Sequence, residues 1–175
     1  MEKVNDYKAE HAYTPQCLEA LRQQEAILQY ERFGSAEALS LGNIAAKLAL
    51  EYDRGVGLRI TREKDALVLF QYMMDDKAER NLGFMEAKRR AALKSGHCSL
   101  WPYVEHEING AWRELIDAVP DVLPCGGAFP IRAGGEWVAT IAVSGLHEGK
   151  DHELAVRALS EALKRSVPPF PGALV

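Results

Sequence analysis

The clearest local signal in this sequence is GAFPIRAGGEWVATIAVSG, residues 127–145. Two β-rich runs flank Gly134-Gly135, a dipeptide that satisfies the positive φ angles of a tight hairpin turn. Pro130 has no backbone N–H, so its strand should lie at an edge or turn this position away from its neighbour. Alternation along the second strand places four residues on one face: Trp137, Ala139, Ile141 and Val143. The stretch predicts an antiparallel hairpin that is covered on both faces.

Helices are predicted on either side of this hairpin. Asp151 should cap a final helix with an apolar stripe that includes Leu159 and Leu163. Near the other end, Thr14 can cap a helix that starts at Pro15 and ends in the mid-20s. Residues 27–33 fit either the end of that helix or a short strand. Ser35 can cap a further helix that should end near Gly55.

A second hairpin is predicted from VGLRIT at 56–61 and ALVLFQY at 66–72, joined by a charged tetrad. Residues 77–94 have helical spacing, and 101–122 mix short helical pieces with loops. The order of elements predicts an α+β domain with four or five antiparallel strands and helices on the sheet faces.

The length and composition fit one domain. The chain has 175 residues, of which 47% are hydrophobic, enough for a single full core. We expect an N-terminal tail over 1–13, one domain over 14–166 and a Pro-rich tail over 167–175 that lies on the surface or on a neighbouring subunit.

Charge and cysteine content narrow the function classes. The formal net charge is −4, with basic and acidic residues interleaved, which argues against nucleic-acid binding. Three well-separated cysteines, with no CxxC pair, favour a reducing cytoplasm over a disulfide framework or a zinc site. The sequence shows no apolar run typical of a signal peptide or a membrane span, so we expect a cytoplasmic protein without membrane contact.

Several motifs resemble a known family. They are CGGAFPIR at 125–132, VSGL at 143–146, Asp151-His152, NLGFMEAK at 81–88, and His97-Cys98-Ser99. Together they resemble the haem-degrading-like family, in particular its intracellular branch, whose relatives include haem-binding proteins and proteins from glycolate and diol utilisation operons. The resemblance covers about residues 20–165. In two places the sequence departs from the branch: Phe84 replaces the usual Trp, and Ala87 stands where a basic residue is common.

The resemblance implies a profilin-like sheet of five antiparallel strands flanked by helices on both faces. It also implies a homo-oligomer built from dimers and favours a strand at 27–33. Haem is the implied cofactor, and a small molecule the implied ligand. The sequence leaves open whether this ligand is turned over, so no catalytic residue is assigned.

The candidate ligand-binding residues come from three segments that the resemblance brings together: Asn81, Phe84, Lys88, Gly126, Gly127, Phe129, Pro130, Ser144, Gly145, Asp151 and His152. On the helix, an amide, an aromatic ring and a cation at i, i+3 and i+7 could hold a planar carboxylated ligand. The two glycines at 126 and 127 permit close backbone approach. Each group also has an ordinary structural role: core packing, a solvated charge, a bend or a helix cap.

His147 and His152 are the candidate iron ligands, because both lie at a strand-to-helix junction and a neutral imidazole can ligate iron. A hydrogen-bonding role at the helix start is the alternative for His152. Ser144 lacks both a G-x-S-x-G context and triad partners at a recognisable spacing, so the hydrolase interpretation is weak. Two hypotheses remain. The chain is either an oligomeric small-ligand-binding protein, with haem as the candidate, or a non-enzymatic assembly module that binds a protein partner and whose motifs serve the subunit interface.

Overall fold

The structure is a computed structural model that describes residues 13–109, 121–146 and 149–174. Within these ranges the chain forms five α-helices and five β-strands. In chain order they are α1 (Pro15–Ile27), β1 (Gln29–Tyr30), α2 (Ser35–Ala49), β2 (Gly57–Arg62), β3 (Val68–Met73), α3 (Glu79–Ser95), α4 (Leu100–Asn109), β4 (Ala128–Ala133), β5 (Glu136–Ser144) and α5 (Asp151–Leu163).

The strands form one sheet in the order β1-β4-β5-β2-β3. Both predicted hairpins are present, since β2 pairs with β3 and β4 with β5 in antiparallel register. The short β1 pairs in parallel with β4 at Arg132 and Ala133, so the sheet is mixed and not purely antiparallel. Because β1 pairs only with these two residues, it leaves Pro130 without a ladder partner on that side, which suits a residue with no N–H donor. The α+β class and the five-stranded sheet are confirmed.

A β-bulge changes the predicted faces of β5. Ile131 pairs with Ala139 but Arg132 pairs with Trp137, so Val138 is an extra residue. The bulge turns Trp137 onto the face of Thr140, to whose Oγ1 its indole Nε1 donates at 3.0 Å. The prediction that Trp137 shares a face with Ala139 and Ile141 is therefore wrong.

Helices cover both faces of the sheet and create two apolar layers. The larger layer joins α1, α2, α4 and α5 to one face of the sheet and includes Leu58, Phe129, Ile141 and Leu159. The smaller layer, under α3, contains Met85 and Ala92 with Ala128 and Ala142 of the sheet. Phe129 and Ala128 are neighbours in β4, and their side chains point to opposite faces of the sheet. Phe129 therefore belongs to the larger layer and Ala128 to the smaller one.

Three predicted helix boundaries need comment. Pro15 occupies the first position of α1, as expected. Ser35 is the first residue of α2 and not its N-cap, which is Gly34, and the helix ends at Ala49, before Gly55. Asp151 is the first residue of α5 and not its N-cap: Lys150 holds the cap position, without a side-chain hydrogen bond. The predicted short helices within 101–122 are represented by α4, while 110–120 lie outside the described residues.

The C-terminal segment, residues 165–174, has no helix or strand and packs against its own chain. Gln24 Nε2 of α1 donates to the carbonyl of Pro168 at 2.9 Å, and the hydroxyl of Tyr13 donates to the carbonyl of Ala173 at 2.9 Å. Phe170 lies with its ring centroid 6.2 Å from that of His152. Within the described ranges, no helix has the length and apolarity that a membrane crossing requires.

Candidate functional site

The three candidate segments meet at one end of the sheet. Asn81 Nδ2 on α3 donates to Ser144 Oγ at the end of β5, at 3.2 Å. Lys88 Nζ, two turns further along α3, donates to the carbonyl of Val143 at 3.0 Å and to Asp151 Oδ2 at 2.7 Å. The fold therefore ties α3, β5 and the first residue of α5 together through side chains far apart in sequence.

The Lys88–Asp151 ion pair is buried, with side-chain exposures of 5% and 6%. The second carboxylate oxygen of Asp151 accepts the backbone N–H of Leu146 at 3.1 Å. Low dielectric strengthens the attraction, and these hydrogen bonds offset much of the cost of desolvating the two charges. The pair fixes the turn between β5 and α5, so the carboxylate of Asp151 stabilises the junction and does not cap the helix.

Gly127 allows the loop before β4 to approach this pair. Its φ is 136°, and a Cβ at this position would lie 2.5 Å from the carbonyl oxygen of Val143 and 2.9 Å from Lys88 Nζ. Gly145 has a φ of 137° and a similar approach, with the carbonyl oxygen of Gly55 at 2.5 Å from a Cβ. Both glycines permit close contact, but what they approach is the protein's own backbone and lysines.

A second set of contacts, which involves residues 97–99, anchors the 125–128 loop. Ser99 Oγ donates to the carbonyl of Cys125 at 2.5 Å and accepts the backbone N–H of Ala128 at 2.9 Å. Glu25 of α1 accepts the N–H of Cys98 at 2.7 Å and lies 3.1 Å from His97 Nδ1. The His97-Cys98-Ser99 motif thus positions the loop. Burial raises the pKa of the Cys98 thiol well above its usual range, so this cysteine is a packed thiol and not a nucleophile.

Exposure divides the candidate residues. Phe84 is 45% exposed on α3 and Gly145 is half-buried. The other nine are buried: Asn81, Lys88, Gly126, Gly127, Phe129, Pro130, Ser144, Asp151 and His152. Phe129 belongs to the larger apolar layer. Of the predicted set, Phe84 is the side chain best placed to meet a ligand arriving from solvent.

His152 lies on the opposite face of the sheet from α3. It is 1% exposed, and its ring packs against Phe129 and Phe170 with centroid distances of 5.9 and 6.2 Å. Nε2 lies 2.9 Å from Gln24 Oε1, while Nδ1 is buried without a hydrogen-bond partner in the described part of the chain. Desolvation lowers the pKa of His152 to about 3, so the imidazole is neutral at pH 7.

His152 also lines a cavity of about 600 Å³ between α5 and the C-terminal segment, and none of the other ten candidates lines it. The second iron-ligand candidate, His147, lies outside the described residues. Across the described ranges, no group of three or more His, Cys, Asp or Glu residues is arranged to hold a metal ion. The predicted set is therefore split between two places on opposite faces of the sheet.

One polar network was missed by sequence reasoning. Arg89 donates to both carboxylate oxygens of Glu63, at 3.0 and 2.6 Å, and Thr140 Oγ1 donates to Glu63 Oε1 at 2.5 Å. These residues connect α3 to β5 beside Trp137, whose indole bonds Thr140. The available signal was Thr140, a hydroxyl in the middle of an otherwise apolar strand, which needs a partner once both faces are covered.

The described residues have the architecture of an α+β protein with one sheet. The sequence also matches a family model. Residues 33–160 match the model of the haem degrading protein HbpS-like family. This match covers more than half of the chain, and the chain belongs to that family.

Relatives of similar length support the assignment. A UPF0303 protein of Rhizobium johnstonii is 29% identical over 154 residues, covering 86% of this chain and 93% of the relative. A UPF0303 protein of Streptomyces coelicolor is 31% identical over 142 residues, covering 79% and 89%.

Solved structures share the fold at low sequence identity. The crystal structure of the Ybr137w protein superposes with a TM-score of 0.77 at 21% identity, covering 94% of this chain and 96% of that one. A structure of HbpS gives 0.61 at 21% identity, covering 77% and 92%. A structure of PduOC in complex with haem gives 0.64 at 14% identity, covering 78% and 99%. At these identities the likeness shows the fold alone.

Proposed function

We propose that this protein binds a small planar ligand, with haem as the candidate, at the surface of α3 that presents Phe84. The observation that carries the proposal is the exposure of the Phe84 ring, which is 45% exposed and belongs to the one described residue of the predicted set that is open to solvent. Membership of the HbpS-like family and the fold shared with a haem complex support haem as the ligand to test first.

The residues at this surface fit two parts of haem. The exposed ring of Phe84 offers an apolar face for a porphyrin plane. Arg80 is exposed one turn earlier on α3, at the i−4 position, where its guanidinium can pair with a propionate carboxylate. A Cβ at Gly83 would meet no atom within 4 Å, so a ligand can approach the helix backbone closely there. When bound, haem supplies an iron centre, while the chain's own residues hold its ring and its carboxylates.

His152 and Phe84 cannot contact one ligand within a single subunit. The sheet separates them, because His152 packs on Phe129 of the larger layer and Phe84 lies on α3, above the smaller one. Ligation of iron through Nε2 of His152 would also require the loss of the hydrogen bond between this nitrogen and Gln24 Oε1. We therefore place haem at the α3 surface and expect His152 to act elsewhere.

The proposal is tested by titration with haem followed by visible absorption. Phe84→Ala should weaken haem binding about threefold to tenfold, the contribution of one aromatic contact. The matched control is Leu93→Ala, which removes a second exposed apolar side chain from the same helix. Equal affinity of the two variants would rule out the Phe84 surface. An altered Soret band in His152→Phe would move the site to the other face of the sheet.

A homo-oligomer is the second part of the proposal, and the edge strand β3 supports it. Among the described residues β3 pairs with β2 alone, so no described strand pairs with the backbone groups of its outer edge. Val68 and Tyr72 of this strand expose 43% and 39% of their surface, and Leu67 just before it exposes 50%. An exposed apolar edge strand favours pairing with another chain. The same feature, together with the internally satisfied Lys88–Asp151 junction, favours the rival function of an assembly module for a protein partner.

Sedimentation and native mass spectrometry test this second part. Val68→Lys should place a charge in the β3 edge and shift an oligomer toward smaller species. Leu50→Lys is the matched control, because Leu50 is 72% exposed but lies outside the sheet. A monomer in the unmodified protein at micromolar concentration contradicts the homo-oligomer. An oligomer that also binds no haem favours the assembly module.

A further inference from the structure

The cavity between α5 and the C-terminal segment has the size and lining of a ligand pocket. Its volume of about 600 Å³ lies within the roughly 300–1,000 Å³ of small-molecule sites. Its apolar walls come from α2, α5 and the C-terminal segment: Leu48, Val156, Val167, Pro168, Phe170 and Leu174. The haem proposal does not involve this cavity, because Phe84 and Arg80 do not line it.

Hydrogen bonding fixes which nitrogen of His152 carries the proton. Gln24 Nε2 donates to the carbonyl of Pro168, an acceptor, so the amide must present Oε1 to the imidazole. Because Oε1 only accepts, His152 Nε2 must donate to it and therefore carries the hydrogen. In the neutral ring, Nδ1 is then a bare acceptor. It has no donor among the described residues, although a buried acceptor normally has one.

The cavity is lined by two acidic and three basic residues, and three of these five form side-chain hydrogen bonds within the chain. Glu153 and Glu161 accompany Arg157, Lys164 and Arg165. Arg165 donates to the carbonyls of Ile27 and Gln29. Arg157 donates to the hydroxyl of Tyr52, which itself donates to Glu153. The lining therefore does not favour a strongly charged ligand of either sign.

The geometry points to a binding site for an uncharged, largely apolar molecule with one hydroxyl or N–H group, which donates to Nδ1 of His152. The apolar part of the ligand occupies the cavity between Val156 and Val167. Phe170 of the C-terminal segment packs edge-on against the imidazole at a centroid distance of 6.2 Å, so a ligand reaches Nδ1 when this side chain moves and the Gln24–Pro168 hydrogen bond stays in place. The ligand supplies the donor that the chain does not, which removes the cost of an unpaired buried acceptor.

Two probes of similar shape test the need for a donor. Phenol carries one hydroxyl and toluene none, so phenol should bind at least about tenfold more tightly. Binding is measured by calorimetry and by ¹⁵N NMR of the histidine side chains, where phenol should shift the Nδ1 resonance of His152 and toluene should not. Equal affinity for both probes, or no shift of this resonance, would overturn the proposal.

Variants locate the probe. Val167→Trp should fill the cavity and abolish phenol binding, while Leu50→Trp adds the same ring at the exposed C-cap position of α2 and should leave it unchanged. Retained phenol binding in Val167→Trp overturns the site. His152→Phe should remove the preference for phenol over toluene, and a preference that persists contradicts the role of Nδ1. If His152→Phe does not fold, the two probes and Val167→Trp still decide, and none of these results depends on haem.

Discussion

Two consecutive residues at the start of α5, Asp151 and His152, face opposite sides of the sheet and differ in how their polar atoms are paired. Asp151 directs its carboxylate toward α3, where Lys88 and the N–H of Leu146 satisfy both oxygens. His152 directs its ring to the other face of the sheet, where Gln24 satisfies one nitrogen and the other has no donor in the described ranges. Neighbouring residues of a helix point about 100° apart, so one residue pair reaches two environments.

The difference separates a structural role from a binding role. A polar cluster whose groups are all paired within the chain gains little from a ligand and loses much when one member is removed. A buried polar group without a partner gains from a ligand that completes it. The Lys88–Asp151 junction is of the first kind and the His152 cavity of the second, although both belonged to one predicted site.

Removal of one member of the ion pair should have the largest effect on stability. Lys88→Met keeps the length of the side chain but leaves the Asp151 carboxylate buried without its counter-ion. We expect a loss of about 3–5 kcal/mol in the free energy of unfolding, measured in denaturant at pH 7. The double variant Lys88→Met/Asp151→Leu should recover part of the loss, because no charge then remains buried. A loss below about 1 kcal/mol in Lys88→Met would show that the pair is not a structural anchor.

Substitution of Gly127, which lies close to this ion pair, should have the second largest effect on stability. Gly127→Ala should cost about 1–3 kcal/mol for the positive φ alone, with more for the contact between its Cβ and the carbonyl oxygen of Val143. Gly83→Ala is the matched control and should have the opposite sign. Gly83 lies within α3 with nothing near its Cβ position, so alanine there should stabilise by about 0.5–1 kcal/mol. Thermal unfolding of both variants compares the two glycines, and a stabilised Gly127→Ala would contradict the close approach.

The burial of His152 should make the free energy of unfolding depend on pH. In the folded protein its pKa is lowered to about 3, from an ordinary value near 6.5. Between these values the unfolded chain binds the proton and the folded protein does not, so stability falls as the pH falls from about 6.5 toward 3. This one residue contributes a slope of up to about 1.4 kcal/mol per pH unit. Unfolding of the wild type and His152→Phe from pH 4 to 7 should show a shallower slope in the variant. Parallel slopes would mean that His152 is not buried as a neutral ring.

The fold was largely predictable because its strongest signals are local. Gly134-Gly135 defines one hairpin, and the alternating runs around the tetrad at 62–65 define the other. The parallel pairing of β1 was not predictable, since two residues carry too little pattern to set a direction. The bulge at Val138 was hidden for a related reason, because both faces of β5 are apolar and a slip by one residue changes no hydrophobic match.

The site was predictable in part. The family motifs identified Lys88, Gly127 and Asp151, and the fold brings these three together. What sequence could not show is the side of the sheet that each residue faces. That depends on the register of β4 with β5 and on the angle at which α5 leaves the turn. Gln24 was also invisible as a partner of His152, since 128 positions separate the two residues.

The smallest effect is expected at the edge of the satisfied network, between Asn81 and Ser144. Asn81 has two tasks: its Nδ2 donates to Ser144 Oγ at 3.2 Å, and its Oδ1 accepts the N–H of Ala78 at the start of α3. Ser144→Ala should remove the first bond alone, at a cost of about 0.5–1.5 kcal/mol. Asn81→Ala should cost about 1 kcal/mol more, because it also removes the cap at the helix start. A double-mutant cycle on the free energies of unfolding isolates the shared bond, and we expect a coupling of about 0.5–1 kcal/mol. Zero coupling would mean that Lys88, and not Asn81, supplies the side-chain hydrogen bond between α3 and the end of β5. The contrast between the two faces of the sheet would then rest on the ion pair and not on a network.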